Sequence, residues 1–235
     1  MKIHAGLSDN TGVTRSPAAM PVRPVLRLAA ALALALLACG EAAPEGPPAP
    51  GPVVPVPEAA TARDVAVLQI REMGEVRIEL LADVAPLTVA HFRALAEQGA
   101  YDGTTFHRVV PGFMIQGGDP NTRDRDPRND GLGGSQPLVP DERPAVSHVR
   151  GIVSLANRGF PSSGGMQFFI VVADARHLDG LHAVFGRVIS GMDVIDRIAA
   201  SELDLYGRHG PPNRPSKDVV IEKVRIERAG PGSVP

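Results

Sequence analysis

Cysteine occurs once in the 235 residues, as Cys39. One thiol excludes an intrachain disulfide and any cysteine-rich metal site. Tryptophan is absent, and only two tyrosines and seven phenylalanines are present, so aromatic surface is concentrated in a few motifs. Neither sign of charge dominates: 24 Lys and Arg stand against 26 Asp and Glu, a formal net charge of −2. Outside residues 63–228, Lys2, Arg15, Arg23 and Arg27 cancel Asp9, Glu41, Glu45 and Glu58. The remainder therefore carries the −2 and offers no basic surplus for a nucleic-acid partner. His107, His148, His177 and His182 share neither an i,i+4 nor an HxH spacing, which argues against a metal site. The apolar run 25–38 is shorter than the roughly 20 residues that a membrane-spanning helix needs. A hydrophobic content of 43% with 21% charged residues is ordinary for a globular chain of one or two domains.

The first sixty residues read as an address and a tether. Arg23 and Arg27 lie at the start of the apolar run, and the small residues Ala38 and Gly40 flank Cys39. That is the layout of a secretory signal peptide over 1–39, for which Met20 would be a start of ordinary length. Leu36-Leu37-Ala38-Cys39 resembles a bacterial lipobox. The resemblance implies lipidation of Cys39 and an extracytoplasmic, membrane-anchored lipoprotein; an ordinary cleavage site with an incidental cysteine is the alternative. Residues 40–62 form a linker with prolines at 44, 47, 48, 50, 52, 55 and 57. Such a segment favours extended polyproline-like backbone, reaching at most roughly 70 Å at about 3.1 Å per residue. Residues 229–235 read as a disordered tail.

Between them, 63–228 shows strand-rich patterning. Residues 65–70 and 74–80 predict a hairpin whose second arm alternates Val76, Ile78 and Leu80 with Arg77 and Glu79. Residues 83–98 switch to helical period, with Asp83 as a cap, Pro86 early, Gly99 beyond the end, and Leu87, Ala90, Phe92, Leu95 and Ala96 on the apolar side. Residues 120–134 are polar, mix Asp with Arg, and predict a solvated surface loop. Strands are expected near 151–157, 166–172, 183–188 and 219–226, with a short helix at 192–200. Many short strands and two helices predict a mainly β protein, a closed antiparallel barrel with helices over its ends.

The most informative stretch is 106–119, Phe-His-Arg-Val-Val-Pro-Gly-Phe-Met-Ile-Gln-Gly-Gly-Asp. Two apolar runs are broken by the turn dipeptide Pro111-Gly112, and each carries one polar misfit, Arg108 or Gln116. Strand alternation would put Phe106 with Arg108 on one face and Met114 with Gln116 on one face. Apolar surface beside one cation and one amide suits a small apolar-ligand site. A hairpin whose Arg108 snorkels to solvent fits the spacing equally well.

The same stretch resembles the central motif of the cyclophilins, the peptidyl-prolyl cis-trans isomerases. The match continues through Gln167-Phe168-Phe169-Ile170 and 177–186, His-Leu-Asp-Gly-Leu-His-Ala-Val-Phe-Gly. The resemblance implies an eight-stranded barrel across roughly 64–228 that acts without a cofactor, as a monomer, on proline-containing segments of unfolded or exported proteins. It places Arg108 as the catalytic arginine and Phe113, Met114, Phe169 and Leu178 as the proline pocket. Gln116 becomes the amide that holds the arginine, Ala156, Asn157 and Gln167 line the peptide groove, and His107 and His182 stand at its rim. His177 occupies a position where many cyclophilins have tryptophan, beside Leu178-Asp179-Gly180. Met166 and Arg158 also depart from the pattern, and Arg158 would favour peptides acidic just before the proline. A proline-binding module or holdase with incidental turnover is the other reading.

Overall fold

The structure, a computed structural model, describes residues 52–58, 62–134, 138–207 and 210–228. The signal-peptide and lipobox readings, Cys39, the linker up to residue 51 and the tail fall outside these residues.

The chain order is β1 (Val65–Ile70), β2 (Gly74–Leu80), α1 (Pro86–Glu97), β3 (Arg108–Val110), β4 (Met114–Gly117), β5 (Ile152–Leu155), β6 (Phe168–Val171), β7 (Val184–Ser190), α2 (Met192–Ala199), β8 (Leu203–Asp204), β9 (Arg214–Pro215) and β10 (Ile221–Glu227). Eight strands form one sheet in the order β10-β1-β2-β7-β5-β6-β4-β3, while β8 and β9 pair apart. Every pairing in the sheet is antiparallel. The expected closed barrel is corrected to a curled, open-ended sheet, because β3 and β10 share no ladder. Among the described residues, the stretch before β3 crosses that seam: Phe106 N–H donates to the Val219 carbonyl (2.9 Å) and Ile221 N–H to the Thr104 carbonyl (2.8 Å).

Alternation sorts the side chains into two apolar layers. On the concave side, Leu68, Ile78, Ile115, Val153, Phe168, Ile170 and Phe185 form the main core with Phe92 of α1 and Ile195 of α2. Phe168 stands edge-on to Phe92, Tyr101 and Phe106, at ring distances of 5.9, 5.7 and 6.1 Å, the tilted geometry aromatic rings prefer. Gly118 needs to be glycine: its φ is +83°, and a Cβ would stand 3.0 Å from the Phe168 ring. On the outer side, Met114, Ile152, Phe169, Val171 and Val184 make a second, smaller cluster.

Two local expectations change. Asp83 does not cap α1; its carboxylate accepts from Arg63 Nε (2.8 Å) and Nη2 (2.7 Å). Ala85 is the N-cap, and the missing acceptor comes from far along the chain. The Glu142 carboxylate accepts from Leu87 N–H (3.0 Å), Thr88 N–H (2.7 Å) and the Thr88 hydroxyl (2.7 Å), satisfying orphan donors at the positive end of the helix. The buried side of α1 is Thr88, Val89, Phe92 and Ala96, and Leu87 is exposed.

Candidate active site

The site is a cross-strand row on the outer face of the sheet. Arg108 of β3 sits opposite Gln116 of β4, Gln116 opposite Phe169 of β6, and Phe169 opposite Ser154 of β5. Met114, two residues before Gln116, faces the same way and lies opposite Val171. The turn between β3 and β4 puts Gly112 at φ +71°, where glycine is at ease. Phe113 and Leu178 pack half-buried against this outer cluster, which contains Met114 and Phe169. Arg108 stands exposed beside it.

The polar members are connected. Arg108 Nη1 donates to Gln116 Oε1 (3.2 Å), and Gln116 Nε2 donates to Gln167 Oε1 (2.9 Å). Gln167 Nε2 then donates to the carbonyls of Gly131 (3.1 Å) and Gly133 (2.6 Å). The loop is pinned in turn, since Gly133 N–H donates to Asp119 Oδ2 (3.1 Å). A Cβ at Gly133 would fall 1.9 Å from Asp119 Oδ1, so only glycine permits this approach. The 120–134 loop is therefore more than a solvated surface segment. Its Thr122 and Asp130 are buried, as is Asp119 just before it, and its carbonyls fix the amide that orients Gln116.

Around the row, His182 meets Phe169 edge-on, with ring centroids 5.1 Å apart and planes at 87°. His182 Nδ1 lies 3.2 Å from the Leu155 carbonyl, which selects the tautomer with the proton on Nδ1. Burial lowers its pKa below the ordinary histidine value. His177 is exposed and tilted against Phe113, with ring centroids 5.3 Å apart. Ala156 N–H donates to the Gln167 carbonyl (2.9 Å). Asn157 Nδ2 donates to the Leu181 carbonyl (3.1 Å) and its Oδ1 accepts from Gly159 N–H (3.1 Å), so this side chain shapes the groove loop. Arg158 is exposed, and its guanidinium covers Gly134, where a Cβ would stand 2.9 Å from Nη2.

Two sequence expectations fail here. His107 is not at the rim; it is 3% exposed, and a Cβ at Gly131 would lie 3.6 Å from its ring. Phe106 does not share the face of Arg108 but enters the main core. Alternation from the exposed Arg108 already turns His107 inward, and a break in the pairing explains Phe106. Thr105 bridges to Val220 on the β10 side, whereas Arg108 begins the ladder with β4, so alternation is lost between Phe106 and His107 and both are buried. Burial lowers the pKa of His107, and the nearby Asp119 and Asp130 only partly offset this.

The sequence reading missed the layer beneath Phe169. His148 stacks on that ring, with centroids 6.0 Å apart and planes at 16°. Its Nδ1 lies 3.1 Å from Asp179 Oδ1, and its Nε2 is 3.0 Å from Ser154 Oγ. The order Ser–His–Asp resembles a hydrolase relay, but Ser154 and His148 are both 0% exposed. No substrate reaches a nucleophile there, so the array is a buried support. A lone serine within the apolar strand Ile152–Leu155 was the available signal.

The family model described as cyclophilin type peptidyl-prolyl cis-trans isomerase/CLD matches residues 65–226. The chain belongs to this family. It is 37% identical over 159 residues to the peptidyl-prolyl cis-trans isomerase CYP18-1 of Arabidopsis thaliana, covering 66% of this chain and 91% of that one. It is 40% identical over 172 residues to a peptidyl-prolyl cis-trans isomerase-like 1 protein of Neurospora crassa, covering 71% and 96%. Among solved structures, a cyclophilin type isomerase of Cryptosporidium parvum, crystallised in the presence of the dipeptide Ala-Pro, superposes with a TM-score of 0.61 at 28% identity. The match covers 69% of this chain and 98% of that one.

Proposed function

We propose that this cyclophilin catalyses cis-trans isomerisation of X-Pro bonds as a monomer. The observation that carries the reading is the exposed Arg108, bonded to Gln116 at the margin of the Phe113, Met114, Phe169 and Leu178 surface. A prolyl amide resists rotation because resonance gives its C–N bond double-bond character, with a barrier of about 18–20 kcal/mol. At the twisted midpoint the nitrogen lone pair is no longer delocalised and accepts a hydrogen bond. No nucleophile and no acid-base pair is needed. The apolar surface grips the pyrrolidine ring while the guanidinium donates to the nitrogen, a bond stronger at the twisted state than in either planar isomer. The charge of arginine is permanent and its donors lie in a fixed plane, so bonding to Gln116 Oε1 holds the fork without neutralising it.

The test is a protease-coupled proline-peptide assay. Arg108→Ala is expected to lose about 2–3 kcal/mol of transition-state stabilisation, a roughly 30- to 150-fold fall in kcat/KM. Unchanged turnover sinks the mechanism. Intact peptide binding by a wild type without turnover would instead favour a holdase or proline-segment binding module.

The setting we propose is extracytoplasmic: a signal peptide ending at Cys39, a lipid anchor on that thiol, and exported proteins as clients. The support is sequence alone, in the apolar run 25–38, the lipobox-like 36–39 and the single cysteine. Cys39→Ser should move the protein from the membrane fraction to the soluble fraction. Retention at the membrane overturns the anchor.

A further inference from the structure

The linker does not stop at the edge of the domain. Its stretch from Pro52 to Pro57 lies against the loops that carry the pocket wall. Val54 and Ser147 exchange two hydrogen bonds: Val54 N–H donates to Ser147 Oγ and Ser147 N–H to the Val54 carbonyl, each 2.9 Å. Arg176 Nη2 donates to the Pro52 carbonyl (2.7 Å), and Arg63 Nη2 donates to the Pro57 carbonyl (2.9 Å). Val56 packs on the outer apolar cluster, the one that contains Met114 and Phe169 and against which Leu178 packs.

Arg176 joins this strap to the site. Its side chain is only 16% exposed, and its Nε donates to Asp179 Oδ2 (2.8 Å) while Nη2 holds Pro52. Asp179 Oδ1 accepts from His148 N–H (2.7 Å), the residue next to Ser147 in the chain and the ring beneath Phe169. Burial alone would raise the Asp179 pKa, but the hydrogen bonds from Arg176 and His148 outweigh it and keep the carboxyl below its usual range. Ala175 N–H donates to the His148 carbonyl (2.7 Å), and Leu178 N–H donates to the Ala175 carbonyl (2.9 Å). The turn 175–179, which presents His177 and Leu178, is thus tied on one side to His148 in the loop before β5 and on the other to the linker.

We infer that the Pro52–Pro57 strap is a working part of the catalytic domain, braced through Arg176 to the turn that forms the pocket wall, and that Arg176 is a positioning residue for proline binding. Two features suit the strap to this task. Prolines at 52, 55 and 57 restrict its backbone before docking, so less conformational entropy is lost on ordering it. Those prolines lack N–H groups, and the one donor used between them, Val54 N–H, meets Ser147 Oγ. The brace acts on the wall, not on the guanidinium, because Arg108 and Gln116 sit on β3 and β4 and are fixed through Gln167 and the 120–134 loop. Its loss should therefore weaken peptide binding and spare the chemical step. This inference rests on the isomerase reading for its kinetic form only; the brace itself is a statement about structure.

The test uses the full chain with Val56→Asp, which expels the strap, and Arg176→Ala, which cuts the brace from the wall side. Each is expected to raise KM for a proline peptide about 3- to 10-fold with kcat within about 2-fold, and the double variant should be no worse than the poorer single one. Arg176→Lys, one point donor in place of a two-armed fork, should restore only part of the loss. Amide hydrogen exchange supplies a readout that needs no turnover. The Ser147 amide should exchange at least 10-fold faster in both variants, and so should the Leu178 amide, while β1 and β2 are unchanged. Unaltered KM in both variants, or unaltered exchange at Leu178, overturns the brace. If Arg176→Ala does not fold, Val56→Asp and Ser147→Ala, both at the strap contact, decide it by the same measurements. A wild type without turnover but with the predicted exchange pattern would remove the isomerase reading and leave the brace standing.

Discussion

The outer face of the sheet has two unlike halves. Across β10, β1 and β2 it is wet and held by ion pairs, Arg77 with Glu227 and Arg225 with Glu75. Across β4, β6 and β5 the outward apolar positions Met114, Phe169, Val171 and Ile152 are all buried, with Gln116 and Ser154 set among them. The backbone is the same antiparallel ladder in both, and the concave face is one continuous core. The contrast shows where a barrel-like sheet has room for function: on apolar outer positions that its core does not need. Covering that surface takes the 141–149 and 172–179 loops and the strap, and the part left open is the row beginning at Arg108.

The largest effect expected from breaking this contrast is on β6, where adjacent phenylalanines serve opposite faces. Phe168→Ala empties the centre of an aromatic cluster and should cost about 3–5 kcal/mol of stability, while the folded fraction keeps normal turnover. Phe169→Ala should cost less stability, since its ring borders the site at 4% exposure, yet abolish saturable binding of a proline peptide. Denaturant unfolding and the coupled assay separate the two, and equal losses of both properties in both variants would erase the distinction between the faces.

Acid should weaken the functional half next. The pKa values of His91, His107, His148 and His182 all lie below the ordinary value, with burial the largest cause in each. The unfolded chain takes up these protons near pH 6.5, before the folded one does. Stability is therefore undiminished above about pH 6.5 and falls as pH drops below it. Urea midpoints at pH 7.5 and 5.5 check the sign. Because β1, β2 and β10 contain no histidine, amide exchange should rise with acid around His148 and Phe169 before it rises in those strands.

The smallest effect belongs to the wet half. Arg77→Ala removes a partly exposed surface pair, of a kind that contributes little, so turnover and the urea midpoint should stay near wild type. A marked loss of activity would mean that the two halves are coupled through the sheet.

Much of the fold was legible because period-two alternation and turn residues are local. The hairpin 65–80, the two helices and most strand centres follow from that pattern. Places where one segment borrows a partner from another were not. Asp83 looks like a helix cap, but Arg63 claims it and Glu142, 54 residues beyond Thr88, does the capping. Phe106 alternates with Arg108 on paper, but the pairing partner changes just before Arg108 and sends the Phe106 ring into the core. The open seam has the same origin, since pattern alone does not say whether the two end strands meet in a ladder.

The amino-acid sequence by itself determined the strand order along the chain, the apolar alternation, the family motifs at 106–119, 167–170 and 177–186, and the residues available for chemistry. Tertiary structure alone decided which of them meet. The row from Arg108 through Gln116 and Phe169 to Ser154, the loop carbonyls that hold Gln167, and the linker prolines brought to Arg176 all join residues far apart in the chain. The physical reason is range: propensity and alternation act over a few residues, whereas hydrogen bonds and packing across strands depend on a register that only the folded sheet sets.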